Sequence, residues 1–266
     1  MTDPHERIDT SKPHSARMYD YYLGGKDWFE VDRHAANAVI ATYPTVLTAA
    51  RANRAFMHRA VRTLAAEYGV RQFLDVGTGI PTKPNLHQVA QAVAPECRVV
   101  YADNDPLVLE YADALLRSSP EGRTVYVDAD VRDDALIDAP EVREVLDLDA
   151  PVALSLVALM HFVPDDADPY GLVRRLMEPL PSGSFLVLSH VTNDFASPED
   201  TSTAESLYNR GGTSLRMRSR KEIGSFFDGL DLLPPGLVTT HRWRADAPPE
   251  MEDTDVGFFA GVARKP

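Results

Sequence analysis

QFLDVGTGIPTKPN (Gln72 to Asn85) decides the fold. An apolar run ends in two glycines, Gly77 and Gly79, one residue apart. That pattern is a strand running into a tight turn where backbone can approach a ligand closely. In an open parallel sheet, such a turn lies at the carboxyl edge, where ligands bind. A dinucleotide fingerprint would need glycine at 82, and Thr82 stands there. Pro81 and Pro84 carry no N–H, which thins the amides available to a pyrophosphate. The helix is pushed back to Asn85, which has Gln88 at capping-box spacing. Asp75, just before the glycines, would repel an anion.

Downstream, helix-like and strand-like patterns alternate. A helix in NLHQVAQAVA is followed by a strand in RVVYAD, then a helix in PLVLEYADALLRS with Pro106 in its first turn. Further strands read RTVYVDAD, PVALSLVAL and SFLVLSHV. Ser219 and Glu222 open a helix over RKEIGSFFDGL, and two last strands read GLVTTHRW and GFFAGVAR. This alternation predicts an α/β fold, a doubly wound, mostly parallel, Rossmann-like sheet of seven strands. Upstream, Val46, Leu47, Ala50, Met57, Val61, Leu64 and Tyr68 recur at helical spacing and stop at Gly69. Before them, an aromatic-rich segment broken at Gly24-Gly25 reads as two short helices, preceded by sixteen polar residues of loose arm. The expected organisation is an arm and helical N-terminal cap over 1–44 and one structural unit over 45–266.

Three acids fall at successive strand ends: Asp75, Asp103 and Asp130. Taken singly, each reads as a helix cap or a solvated loop residue. Together with the turn Gly77-Thr78-Gly79, they suit a cofactor that carries a cationic centre and an ammonium group, as S-adenosylmethionine does. Asp103, with Asn104 beside it, would accept the ribose hydroxyls. Asp130 would take the adenine amine and the Val131 amide a ring nitrogen. A nicotinamide-dependent reductase is the rival, disfavoured by Thr82 and Asp75.

The 266 residues suffice for one large α/β domain. With 44% apolar and 25% charged residues, the chain is globular. A net charge of −13 leaves no basic surplus to displace nucleic-acid counterions. The single cysteine, Cys97, excludes an internal disulfide and fits a reducing cytoplasm. No N-terminal segment resembles a signal peptide, and the longest apolar stretch, Pro151 to Met160, is about half a membrane span. The expectation is a cytoplasmic protein with no membrane or nucleic-acid partner.

The layout resembles class I S-adenosylmethionine-dependent methyltransferases. More narrowly, the chain resembles an actinobacterial family of such proteins catalogued as DUF574. The likeness runs from SARMYDYYLGGKDWFEVDRHAA to the closing GVARKP and rests on FLDVGTGIPTKPNLHQVAQ, VVYADNDPLVL, VYVDADVRD, PVALSLVALMHFVPDD, GSFLVLSH and FFDGLDLLPPGLV. It implies the cofactor and names no acceptor. Pro81 replaces the third glycine of the general methyltransferase turn, and Trp28 follows Asp27 where the family pattern reads GGKDN.

Methyl transfer asks mainly for alignment, and for a general base where the acceptor must lose a proton. The best-placed base is His161 in ALMHFVPD; its other reading is a loop-holding histidine. His190, ending the fifth strand, is the second choice. Asp165-Asp166 and Asp133-Asp134 suggest a metal only weakly, since PDDADP reads as a loop leading to a helix cap, and no metal is expected. Tyr19, Tyr22 and Lys26 are candidate acceptor or lid residues on a segment, Arg17 to Trp28, that nothing upstream anchors. Thr192 to Met217 is the other candidate lid. The resulting expectation is a methyltransferase for a small organic acceptor, with a catalytically silent S-adenosylmethionine or S-adenosylhomocysteine binder as the alternative.

Overall fold

The computed structural model describes residues 9–115, 117–133, 135–248 and 250–266. The first half of the expected polar arm and Asp134 of the Asp133-Asp134 pair lie outside the described residues.

Five strands run parallel: β1 (Gln72–Val76), β2 (Arg98–Asp103), β3 (Arg123–Asp128), β4 (Ala153–Val157) and β5 (Phe185–Val191). The short β6 (Asp231–Leu232) and β7 (Val238–Thr239) pair antiparallel with β8 (Phe258–Arg264), which is itself antiparallel to β5. The order is β3-β2-β1-β4-β5-β8-β6, with β7 also on β8. After β1 the chain builds outward to β2 and β3, then returns to place β4 on the other side of β1. The crevice at that reversal is where such a sheet takes a ligand.

Both faces of the sheet are covered, so its central strands are buried on both sides and read as near-continuous apolar runs. Leu74, Val100 and Leu154 face one core layer, with α6 (Pro140–Val145) and α7 (Pro169–Met177). Their neighbours Phe73, Val99 and Ala153 face the other, against α3 (Val46–Glu67) and α4 (Leu86–Val93). This one-residue switch of face follows from strand geometry. Burying a side chain such as Phe56 or Leu64 stabilises by about 1.5–3 kcal/mol. Ahead of α3, α1 (Ser15–Leu23) and α2 (Glu30–Thr42) bury Met18, Tyr22, Ala36 and Val39 against Ala50.

The sheet has eight strands where seven were expected. The extra strand, β6, falls between the stretch read as a helix, which ends at Leu230, and the strand read in GLVTTHRW. Here α9 (Arg220–Gly224) passes into a short 3-10 turn, and Gly229, at φ +81°, redirects the chain so that Asp231 and Leu232 pair with β8. β3 also stops at Asp128, leaving Asp130 in the following turn.

Candidate functional site

A cavity of about 550 Å3 runs along the carboxyl edge, from the turn after β3 to Phe258 at the start of β8. That lies in the range of about 300–1,000 Å3 usual for small-molecule sites.

One wall is the turn after β1. Gly77 and Gly79 sit at φ +70° and +66°, a region that side chains rarely enter. A Cβ on Gly77 would come within 2.5 Å of Leu159 in the loop after β4. Thr78 Oγ1 closes the turn on itself by donating to Asp75 Oδ2 at 2.6 Å, and the Gly77 N–H ties it to β2 by donating to Ala102 O at 2.8 Å. The Gly79 N–H donates to Asp103 Oδ2 at 2.8 Å and the Asp105 N–H to Asp103 Oδ1 at 3.0 Å. Asp75 and Asp103 are buried, and burial raises the pKa of each, opposed by these hydrogen bonds. Asp130 behaves differently. The Arg132 guanidinium, at 2.6 Å, holds its carboxyl down at about 2, and Asn104 Nδ2 donates to it at 2.8 Å.

Asp75, Gly77, Thr78, Gly79, Asp103, Asn104, Asp130 and Val131 all line the cavity. Two polar residues of α3 join them that the sequence reading missed. Arg54 donates through Nη2 to Thr82 O and Pro84 O, and its charge lowers the pKa of Asp75. Asn53 donates to Tyr19 Oη at 2.9 Å and accepts from Ser189 Oγ at 2.6 Å. Its signal was in the sequence, as a polar residue on the apolar stripe of a helix.

Tyr19 and Tyr22 line the cavity; Lys26 is exposed and stands away from it. The segment around α1 is anchored, contrary to expectation. Arg17 is buried, with Nε 3.2 Å from Asp32 Oδ1, and its Nη2 donates to Lys12 O at 2.9 Å. His14 Nδ1 lies 2.9 Å from Asp105 Oδ2, and the His14 N–H donates to Asp32 Oδ1 at 2.8 Å. An arginine taken into the core must find acceptors, and these include carbonyls of the preceding arm. Across the cavity, Tyr22 Oη meets Tyr208 Oη of α8 (Pro198–Arg210) at 3.1 Å. The Thr192 to Met217 segment thus supplies wall, including Phe195, Tyr208 and Leu215.

His161 lines the cavity, and its buried Nδ1 has no partner among the described residues. Burial, with Arg218 nearby, pushes its pKa down to about 3, so the ring is neutral at pH 7 and suits hydrogen bonding better than proton storage. His190 is fully buried away from the cavity. Its Nδ1–H donates to Val191 O at 2.7 Å, and its Nε2 accepts from Arg218 at 2.9 Å, a tautomer assigned from these partners. Strand alternation explains the difference: Ser189 faces Asn53, so His190 faces the opposite layer.

Arg218, one of three arginines in RMRSRKE and singled out by nothing in the sequence, is fully buried. It donates to Met160 O at 3.1 Å, Val163 O at 3.0 Å and Asp165 Oδ1 at 2.6 Å. Asp165 is therefore an anchor for this loop, reinforced by Arg216 at 3.0 Å. Among the described residues, no helix is long and apolar enough to cross a membrane.

A family model described as S-adenosyl methyltransferase matches residues 1–266. The crystal structure of a DUF574 family protein from Streptomyces avermitilis is similar at 51% identity and TM-score 0.94, covering 98% of this chain and 100% of that one. A candidate methyltransferase from Thermobifida fusca is similar at 36% identity and TM-score 0.89, covering 100% and 99%. No curated protein matches the chain.

Proposed function

The chain belongs to the S-adenosyl methyltransferase family, whose cofactor is S-adenosylmethionine, and on that premise we propose that it methylates a small organic acceptor in the cavity described above. The observation that carries this reading is the division of the cavity. Buried carboxylates and a glycine-rich turn occupy one end, and the other end remains for a second molecule.

The residues present fit the cofactor. Asp75 offers a buried carboxylate for an ammonium group, and Asp103 one for a ribose diol; each has accepting capacity beyond its present hydrogen bonds. Gly77 and Gly79 leave the backbone open between them. Val131 and the Asn104–Asp130 pair border the place for a base. Bound S-adenosylmethionine supplies a methyl group already activated on a sulfonium. The protein's share is alignment and exclusion of water, which account for much of the rate in such transfers. His161 contributes a neutral ring nitrogen that positions a polar group of the acceptor. A catalytically silent binder would need only the charged end of the cavity.

Two measurements test the reading. S-adenosylhomocysteine at about 100 times its Kd should stabilise the fold by ~2.7 kcal/mol, a rise of several degrees in Tm, and NAD should not. Asp103→Ala should weaken that binding by about 2–5 kcal/mol in calorimetric titration. A Tm that responds to NAD alone, or an unchanged affinity in the variant, contradicts the assignment.

A further inference from the structure

The charges around the cavity are distributed unevenly. Every aspartate and arginine that lines it (Asp75, Asp103, Asp130, Arg54, Arg132) belongs to the strands and turns from β1 to β3 or to the adjoining part of α3. Beyond β4, toward β5 and β8, the described lining residues include no aspartate, glutamate, lysine or arginine. Rings take their place: Tyr22, Phe162, Phe195, Tyr208 and Phe258 border the space from different elements.

These rings offer their faces more than their polar atoms. The hydroxyls of Tyr22 and Tyr208 are bonded to each other, and that of Tyr19 is engaged by Asn53 and by Ala50 O at 3.1 Å. Phe162 lies 5.9 Å from Tyr208 and 4.2 Å from His161, centroid to centroid, and Phe258 lies 5.7 Å from His161. Two polar atoms here are buried without a partner among the described residues, Tyr43 Oη and His161 Nδ1.

We propose that this uncharged end binds a neutral, planar aromatic molecule carrying one hydrogen-bonding substituent, and that this molecule is the methyl acceptor. The inference rests on the methyl-transfer reading for the word acceptor; the binding chemistry rests on the wall itself. An ionised guest would surrender its hydration and find no counter-charge among the described residues that line this end, a cost that selects against carboxylates, phosphates and ammonium groups. Arg218, near His161, does not line the cavity and is paired with Asp165. A flat ring finds offset and edge contacts with the aromatic walls. Its single polar substituent satisfies one of the two orphaned atoms, which are otherwise costly to bury.

The test uses isosteres that differ in charge or flatness: naphthol, naphthoate, naphthylmethylammonium and decahydronaphthol at neutral pH. Each is titrated calorimetrically into the full chain, alone and saturated with S-adenosylhomocysteine. Naphthol should bind in both states, and the two ions at least about tenfold more weakly. Decahydronaphthol should fall between them. Ser214→Lys, at an exposed position on this wall, should recover naphthoate binding. Either ion binding as tightly as naphthol, or no probe binding while S-adenosylhomocysteine does, overturns the proposal. Failure of S-adenosylhomocysteine to bind instead sinks the methyl-transfer reading, and the titrations without it still decide whether this end selects neutral rings.

Discussion

The turn after β1 and the loop after β4 leave adjacent strands at the same edge of the sheet, and they are held in opposite ways. The turn is set by two glycines at positive φ and the Thr78–Asp75 bond, and it is tied to the end of the next strand by Gly77 on Ala102 and Gly79 on Asp103. The loop after β4 is pinned by Arg218, which comes from more than 50 residues along the chain and reaches Met160 O, Val163 O and Asp165. The glycine turn is thus shaped by its own backbone and the end of the adjoining strand, and the loop carrying His161 by the buried Arg218 from a remote segment, with Arg216 beside it on Asp165.

The largest effect that separates the two should come from Arg218→Leu. It strands the carbonyls of Met160 and Val163 and the Nε2 of His190, at about 1–3 kcal/mol for each buried acceptor left unpaired. Urea denaturation should show that loss, while S-adenosylhomocysteine affinity in the folded fraction should change little. An affinity loss as large as the stability loss would mean the two regions are one unit.

Gly77→Ala should act the other way. The left-handed backbone costs roughly 1–2 kcal/mol and the approach to Leu159 about 1–3 kcal/mol more. Relief by movement of Leu159 disturbs the cavity, so cofactor affinity should fall together with Tm. A folded variant with native affinity would show that the turn tolerates a side chain.

Acid titration resolves the smallest difference. Asp75 and Asp103 have raised folded pKa values, so their contribution to stability falls as pH rises through those values and is not lost on acidification. His161 is the reverse. Its folded pKa of about 3 lies below the ordinary 6.5, so stability present above 6.5 is lost as pH falls toward 3. His161→Asn should therefore lose less stability than the native chain below pH 6, by about 1.4 kcal/mol per pH unit. Denaturation curves at pH 7, 6 and 5 measure it; parallel losses in both proteins would show that the acid response lies elsewhere.

Much of this molecule is legible from residues close in sequence. Gly77 and Gly79 require a turn with positive φ, Asn85 and Gln88 set the start of a helix, and the alternation of apolar runs implies a parallel sheet covered on both faces. These features depend on steric limits, hydrogen bonds that span a few positions and the periodicity of apolar runs, so the sequence by itself determined them, along with the presence of carboxylates beside the glycine turn. The sequence could not show that Arg218 is buried, because a guanidinium among surface-like cations looks the same until carbonyls from another loop surround it. Nor could it show that His190 faces away from the cavity while His161 faces it, that Lys26 stands outside, or that Arg17 anchors the arm. It also left the aromatic end unassembled, since Tyr22, Phe162, Tyr208 and Phe258 lie far apart in the chain. Only the tertiary structure decided these, because burial and pairing belong to groups that meet in space, and charge and pKa follow from what they meet.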